Sequence, residues 1–392
     1  MNQSFSADQV IKLCKKTELI DYSITLEKLK DELNEAFEKI TNGNYDFSFN
    51  KHKGFLSCNN LTDKLILRKL NDNIKKLYKD KQANRRIIIY QIKTLLEDQC
   101  PLWVYRTDIS SFYASIDRSK IIEKLKGDSI LTYFSIKLID KLFEHPLVST
   151  TSGLPLGISI SATLSELYMR PFDKWVRTQP GIYYYSRFVD DIIVFAYKEE
   201  AAIVLEKNIE NNLPSGLKKN ELKSKHFDGK RIIKTKPLEF LGYKFYLEKE
   251  TVKKTRLTVS ISTDKVKKIK SRIILAFTSY LSNRNEALLI NRIKFLTGNY
   301  TIKSNFDGND LKAGIYFNYS HVNEITVFQE LNLFYYKTLN SKRYSLGKRL
   351  SIILSPTLKY NLSRHSFKHG FKNKVFHKFN ATTMKQISSC WR

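Results

Sequence analysis

The sequence predicts an α+β fold. Two runs of aromatic and β-branched residues, each broken by a short polar or glycine turn, read as antiparallel strand pairs. Four apolar stripes at three- and four-residue spacing read as amphipathic helices. At 392 residues the chain is long enough to bury a sizeable core and to divide into two or three subdomains.

The first stripe, LEKLKDELNEAFEKI, places Leu26, Leu29, Leu33, Phe37 and Ile40 on one side of a scaffold helix. From Lys64 to Asp98 helix-period apolar residues mix with Arg68, Lys75, Lys76, Lys79, Lys81, Arg85 and Arg86. This basic density suits a phosphate-facing element or, more plainly, a solvated helix face. Leu102 to Tyr105 is a short apolar strand that runs out at Asp108, and Asp117 is placed to cap a helix over Arg118 to Leu125. The loop Gly153 to Gly157 then feeds a helix over Ser159 to Trp175, with Leu164, Leu167, Tyr168, Phe172 and Trp175 at mostly helical spacing.

Tyr183 to Tyr197 has the pattern of a β-hairpin with Asp190 and Asp191 at or near its tip. A second strand pair, Leu238 to Leu247, is interrupted by Gly242. Asp264 begins a helix with Val266, Ile269, Ile273, Phe277 and Tyr280 on one side. Residues 331–392 hold thirteen Lys or Arg, interleaved with Tyr, Phe and Trp, and no Asp or Glu. That composition points to a nucleic-acid surface.

Charge narrows the partner. There are 67 Lys and Arg against 39 Asp and Glu, a net +28, which attracts polyanions. No apolar run approaches the roughly 20 residues that span a bilayer, and the N-terminus lacks a signal-peptide core. A soluble, cytoplasmic protein without a membrane partner is expected. Cys14, Cys58, Cys100 and Cys390 are too scattered for a CxxC site and read as reduced thiols. His365 and His369 are four apart, as helical metal ligands can be, but lack nearby Cys or acidic partners; polar or phosphate contact is the plainer reading. No repeat and no long flexible linker is evident.

The chemistry concentrates on Asp190 and Asp191. Adjacent carboxylates in an otherwise apolar run repel at low dielectric, and a divalent cation offsets them most directly, although Lys or Arg partners or a plain Asp-Asp turn are alternatives. Asp108 also closes an apolar strand. Three carboxylates on neighbouring strand ends could hold two Mg²⁺ ions about 4 Å apart, the arrangement that activates a 3′-hydroxyl and stabilises departing pyrophosphate.

Four blocks in order make the chain resemble the reverse transcriptases, over roughly Arg68 to Tyr319. VYRTDISSFYASI is similar to their first palm motif; the match implies Asp108 as a metal ligand, the Ile109 carbonyl as a second contact, and Phe112 and Tyr113 at the nucleotide, with Tyr113 as the aromatic gate against a 2′-hydroxyl. GLPLGISISATLSELY resembles the loop and helix that position template and nucleotide through Pro155, Leu156 and Gly157, with Leu156 where many members have Gln. YSRFVDDIIVF matches the aromatic-x-Asp-Asp hairpin, implying Asp190 as the second principal ligand and Asp191 as its neighbour. KTKPLEFLGYKF resembles the palm-closing motif, and Lys234 or Lys236 would stand near the triphosphate. NRRIIIYQIK is similar to the fingers strand that grips the triphosphate through Arg85 and Arg86.

The resemblance therefore implies a right-hand polymerase with basic C-terminal extension: N-terminal helices and fingers over 1–101, a palm with an antiparallel sheet over 102–250 carrying a helical fingers insert at about 118–150, a helical thumb over 251–330, and a nucleic-acid-binding region over 331–392. Lys342, Arg343, Lys348, Arg349, Arg364 and Lys368 are its candidate contacts. It implies two Mg²⁺, with Mn²⁺ as a substitute, dNTPs, an RNA template and a DNA product. Compact size, the FVDD form, Leu156, and RIKFLTGNYTI followed by GIYFNY resemble bacterial defence-associated members of the abortive-infection-like group. The opening NQSFSAD is similar to the A subunits of type three antiviral systems. Those imply a non-coding RNA template, a second reverse transcriptase subunit and a higher-order oligomer. Set against these are a catalytically inactive RNA-binding scaffold, a group II intron-derived enzyme and synthesis from ribonucleotides.

Overall fold

The computed structural model describes residues 3–79, 83–98, 102–249, 255–302 and 311–391. Lys81, Cys100 and Arg392 lie outside them. By compactness the chain forms two units, Met1–Ile88 with Pro101–Gly229, and Ile89–Cys100 with Lys230–Arg392.

The first unit opens with α1 (Ala7–Ile11), α2 (Lys16–Asp21) and α3 (Leu26–Thr41), followed by the hairpin β1 (Phe49–His52) and β2 (Phe55–Cys58), and α4 (Leu61–Leu77). On α3 the expected stripe is buried through Leu29, Leu33 and Ile40, with Thr25 accepting the Lys28 N–H as N-cap. Helix α4 is not a free cationic face. Its Arg68 holds the buried Glu18 carboxylate with both guanidinium nitrogens (2.7 and 2.9 Å), Lys64 joins at 2.9 Å, and together they pull Glu18 down to about 2 against the cost of its burial.

Next comes α5 (Arg85–Glu97). The resemblance to a fingers strand implied extension while the spacing over Lys64 to Asp98 implied a helix; Ile88, Ile89, Ile92 and Leu96 are buried while Ile87 and Tyr90 are exposed, as the helical spacing requires. The Asn84 side chain accepts the Arg86 N–H at 2.9 Å at its start.

The sheet of this unit is built from β3 (Trp103–Asp108), β4 (Ile182–Phe188), β5 (Asp191–Ala196) and β6 (Lys225–Asp228), in the antiparallel order β4-β5-β3-β6. Between β3 and β4 lie α6 (Phe112–Ser115), α7 (Arg118–Asp128), α8 (Tyr133–Glu144), α9 (Pro146–Ser149) and α10 (Ser159–Arg177); α11 (Glu199–Asn212) follows β5. Asp117 caps α7 as expected, accepting from Ser119 and Lys120 N–H. Helix α10 packs on α4 and β4, and α11 on β3 and β5. Tyr105, Ile192, Val194, Leu164, Phe172 and Leu205 share the core that results.

The second unit begins with the antiparallel sheet β7 (Leu238–Phe240), β8 (Tyr243–Lys249) and β9 (Thr255–Ile261), with the expected break at Leu241 and Gly242, both at positive φ. Helices α12 (Thr263–Asn283) and α13 (Glu286–Thr297) lead to β10 (Asn299–Ile302), β11 (Leu311–Gly314) and α14 (Ile315–Asn318). All five expected core positions of α12 are buried. There follow α15 (Thr326–Asn340), α16 (Tyr344–Ile353), α17 (Pro356–Ser363), α18 (Phe367–Lys372), β12 (Phe376–His377) and α19 (Ala381–Ser388).

The basic C-terminal stretch is thus folded: α15 and α16 pack on α12, and α17, α18 and α19 pack on α13. Arg292, almost fully buried, bonds the Ile387 and Gln386 carbonyls at 3.3 Å at the end of α19. Asn299, in the segment RIKFLTGNYTI, is its counterpart: its amide donates to the Gly370 and Val375 carbonyls and its side-chain oxygen accepts the Tyr316 N–H. No helix of the described residues is long and apolar enough to cross a membrane.

Candidate active site

The expected carboxylates meet at one end of the first unit's sheet. Asp108 is the last residue of β3 and lies opposite Asp191, the first of β5. Val189 and Asp190 form the two-residue turn joining β4 to β5, and the Asp190 carbonyl accepts the Ile109 N–H at 3.1 Å. Val189 has φ +60, a conformation a β-branched side chain adopts only under constraint. The constraint is visible. Arg187, 6 % exposed, donates to the Val189 carbonyl at 2.9 Å while its guanidinium engages Glu166 (2.7 and 3.1 Å) and Asp173 (2.8 and 2.9 Å) on α10. The hairpin tip is therefore bolted to α10.

The carboxylates of Asp190 and Asp191 are raised in pKa by their surroundings. Burial raises Asp190, and the Asp108 charge adds to it. Asp191 is pushed up to about 6 by burial and then by the charge on Asp190, with Arg106 opposing from 4.0 Å. Asp108, 4 % exposed, has one oxygen on the Lys223 ammonium at 2.5 Å; its other oxygen is buried with no hydrogen-bond partner. An orphaned carboxylate oxygen beside two carboxylates of raised pKa marks a place short of positive charge, and all-oxygen donors suit a hard divalent cation. The residues fit such an ion without forming a ready cage. Among the described residues no set of three acidic, His or Cys side chains is arranged to hold a metal. In their place Lys223 supplies a positive charge to Asp108.

Ile109 is buried, and its backbone forms an isolated antiparallel bridge with Lys219. Ser110 N–H to the Lys218 carbonyl (3.0 Å) and Asn220 N–H to the Asp108 carbonyl (2.8 Å) make that bridge, leaving the Ile109 carbonyl out of it. Through it the segment after α11 brings up Lys223, which the sequence did not single out. Its polar run KKNELKSK carries no periodicity to flag it.

Tyr113 stands beside Asp190. Burial raises its hydroxyl pKa, and Ser165, Glu166, Asp190 and Arg187 are the groups acting on it. Phe112 packs edge-on at 5.3 Å and is core. The glycine loop clamps both sides of this region. Gly153, at φ +69, brings its Cα so close to the Tyr113 carbonyl that an added Cβ would sit 2.1 Å from it, and Leu154 N–H donates to that carbonyl at 2.7 Å. Gly157, at φ +100, meets the Leu56 carbonyl in the same way, at 2.2 Å. The Leu156 carbonyl accepts the Leu56 N–H at 2.7 Å, its side chain is partly exposed, and the Pro155 carbonyl accepts the Ser161 hydroxyl at 2.6 Å.

Arg85 and Arg86 open α5 rather than lying on a strand, Arg86 exposed. The other expected residues belong to the second unit. There Lys236 is exposed, and Lys234 lies 3.9 Å from Glu248 and over the Tyr246 ring. Lys342, Arg343, Lys348, Arg349 and Arg364 are exposed and Lys368 is half-buried.

Residues 25–245 match the family described as reverse transcriptase (RNA-dependent DNA polymerase). No curated protein matches the chain. Among solved structures it is similar to telomerase from Candida tropicalis without ligand (12% identity, 95% of this chain and 63% of that one, TM-score 0.38). Telomerase from Candida albicans with a fragment of telomeric RNA gives 11%, 86%, 57% and 0.36. A Candida tropicalis telomerase truncated of its C-terminal domain gives 13%, 46%, 42% and 0.33. The chain thus spans less than two thirds of each.

Arg187→Leu strands two carboxylates on α10 without their partner, which costs about 3–5 kcal/mol for a buried pair. Urea denaturation reads this loss, and Arg187→Lys recovers only part of it, because an ammonium cannot fork to two carboxylates. A loss under about 1 kcal/mol, the size of an exposed ion pair, would show that the bolt does not hold the hairpin.

Proposed function

Residues 25–245 being more than half of its length, the chain belongs to the reverse transcriptase (RNA-dependent DNA polymerase) family, and we propose that it makes DNA on an RNA template by nucleotidyl transfer at Asp108, Asp190 and Asp191. The observation that carries this reading is the register of Asp108 opposite Asp191 with Asp190 in the adjoining turn. Divalent ions held there, Mg²⁺ or Mn²⁺, would supply activation of the 3′-hydroxyl and charge neutralisation at the departing pyrophosphate. The chain's own part is placement. Arg187 fixes the turn, and the Gly153 and Gly157 contacts hold the loop over Tyr113. Tyr113 is taken as the gate that excludes a 2′-hydroxyl, and Pro155, Leu156 and Gly157 as the floor under the nucleotide.

Lys223 is assigned a role first sought at Lys234 or Lys236: once a metal takes Asp108, its exposed ammonium is free to meet the triphosphate. Arg85, Arg86 and Lys236 are assigned to the nucleotide. The functional division is fingers over 1–101 and 118–150, palm over 102–250, thumb over 251–330 and a basic nucleic-acid surface over 331–392, with Lys342, Arg343, Lys348, Arg349, Arg364 and Lys368 on the strand. The FVDD form, Leu156, RIKFLTGNYTI followed by GIYFNY, and the opening NQSFSAD are the sequence features behind assigning it to the defence-associated, abortive-infection-like group, as an A subunit of a type three antiviral system with a non-coding RNA template and a second reverse transcriptase subunit in a higher-order assembly.

In primer extension with dNTPs and Mg²⁺, Asp190→Asn and Asp191→Asn lower the rate roughly a thousandfold or more, the equivalent of several kcal/mol of lost metal-borne stabilisation, with RNA affinity nearly unchanged. The same assay with ribonucleotides shows Tyr113→Ala admitting them. Full synthesis by either Asp variant sinks the polymerase reading in favour of an RNA scaffold. Lys223→Gln raises the dNTP KM about tenfold, a modest charge-contact loss; an unchanged KM assigns Lys223 to Asp108 alone. For the defence role, phage plating on cells carrying the system is reduced by wild type and restored by Asp190→Asn, and the RNA recovered with the protein is one non-coding species. A random RNA pool and equal plating would remove that role.

A further inference from the structure

We infer that the second unit holds a pocket for a phosphate-bearing nucleotide, one distinct from the carboxylate site and formed wholly within that unit. The hollow, of about 430 Å³, is lined by the end of α13 and the stretch from α17 through β12. Its size is that of ordinary small-ligand sites. Lys294, Arg364, His365, His369 and His377 all face it, and among the described residues that line it none is acidic.

Such a gathering is unfavourable without an anion. Burial, then His377, Lys294 and Arg364, push His365 down to about 4, and burial and Lys294 lower His377. The two rings stand edge to face, 6.1 Å apart. Neutral imidazoles keep an N–H to donate, and the two full cations supply the charge a phosphate needs. The walls are shaped for close approach. At Gly298 a Cβ would fall 2.4 Å from the His377 ring, and at Gly370 1.8 Å from the Thr297 carbonyl. Asn373 fixes His369 through its Nδ1 at 2.8 Å.

The lining chooses among ligands. A metal ion is disfavoured, since Lys294 and Arg364 repel it and no three His, Cys, Asp or Glu of the described residues are arranged to hold one. A bare phosphate would leave most of the volume unfilled, whereas the imidazole faces and the apolar Ile290 and Val375 offer a base or sugar a surface to stack on. A nucleotide phosphate satisfies both parts. It arrives either free or as the 5′ end of a strand.

The test uses the full chain and fluorescence polarisation of a short 3′-labelled RNA, with a 5′-monophosphate or a 5′-hydroxyl, competed by AMP. A strand-end ligand shows as an affinity at least about tenfold higher for the phosphorylated RNA, and a free nucleotide as competition by AMP. In either case Lys294→Gln and the exposed Arg364→Gln, with melting temperatures unchanged, abolish the effect, and Asp190→Asn keeps it. Equal binding of the two RNAs with no competition by AMP, or an effect that persists in both basic-residue variants, overturns the assignment.

Discussion

The site depends on one register. Asp108 faces Asp191 because β3 and β5 pair with Trp103 opposite Ala196, and a slip by one residue would turn every side chain of β5 to the other face. Ile192, Ile193, Val194 and Phe195 are buried on both faces, so a slip would exchange side chains of different shape in two close-packed layers. The same burial that drives the strands together thus forces like charges into proximity at their ends. The opposition shows in the raised pKa values of Asp190 and Asp191, and in Val189 at φ +60, a strain of order 1–3 kcal/mol that the Arg187 bolt and the strands outweigh. The fold supplies the free energy for an arrangement its local chemistry resists.

What was legible in the sequence follows from where the signal is periodic. The hairpin over β4 and β5, the strand ending at Asp108, the cap at Asp117 and the α12 stripe all announce themselves through alternation, spacing or a capping residue, and each appears where expected. Helix α5 carried two readings, helix-period spacing over Lys64 to Asp98 and a resemblance of NRRIIIYQIK to a fingers strand, and the burial of Ile88, Ile92 and Leu96 follows the first. The Arg187 network was half-visible: Glu166 and Asp173 are seven residues apart, two turns of one helix and hence one face, but their target lies on a strand across a turn. Lys223 was invisible, since its position beside Asp108 comes from backbone pairing at Ile109 and Lys219 that no side-chain pattern encodes.

The net charge of +28 also means something different once the fold is known. Arg68, Arg187 and Arg292 are cations that the interior consumes, the first two on Glu18, Glu166 and Asp173 and the third on backbone carbonyls. Each satisfies a buried group at a geometry that leaves nothing for a ligand. Residues 331–392 are the contrary case, with thirteen cations and no acid. There the helices are held by apolar packing such as Phe328 on Phe371 at 4.1 Å and Phe277 on Tyr335 at 6.2 Å. Cations that a fold neither pairs nor buries raise its self-repulsion, and a polyanion is what relieves it. Nearly half of the excess charge of this chain, +13 of +28, therefore sits on these C-terminal elements.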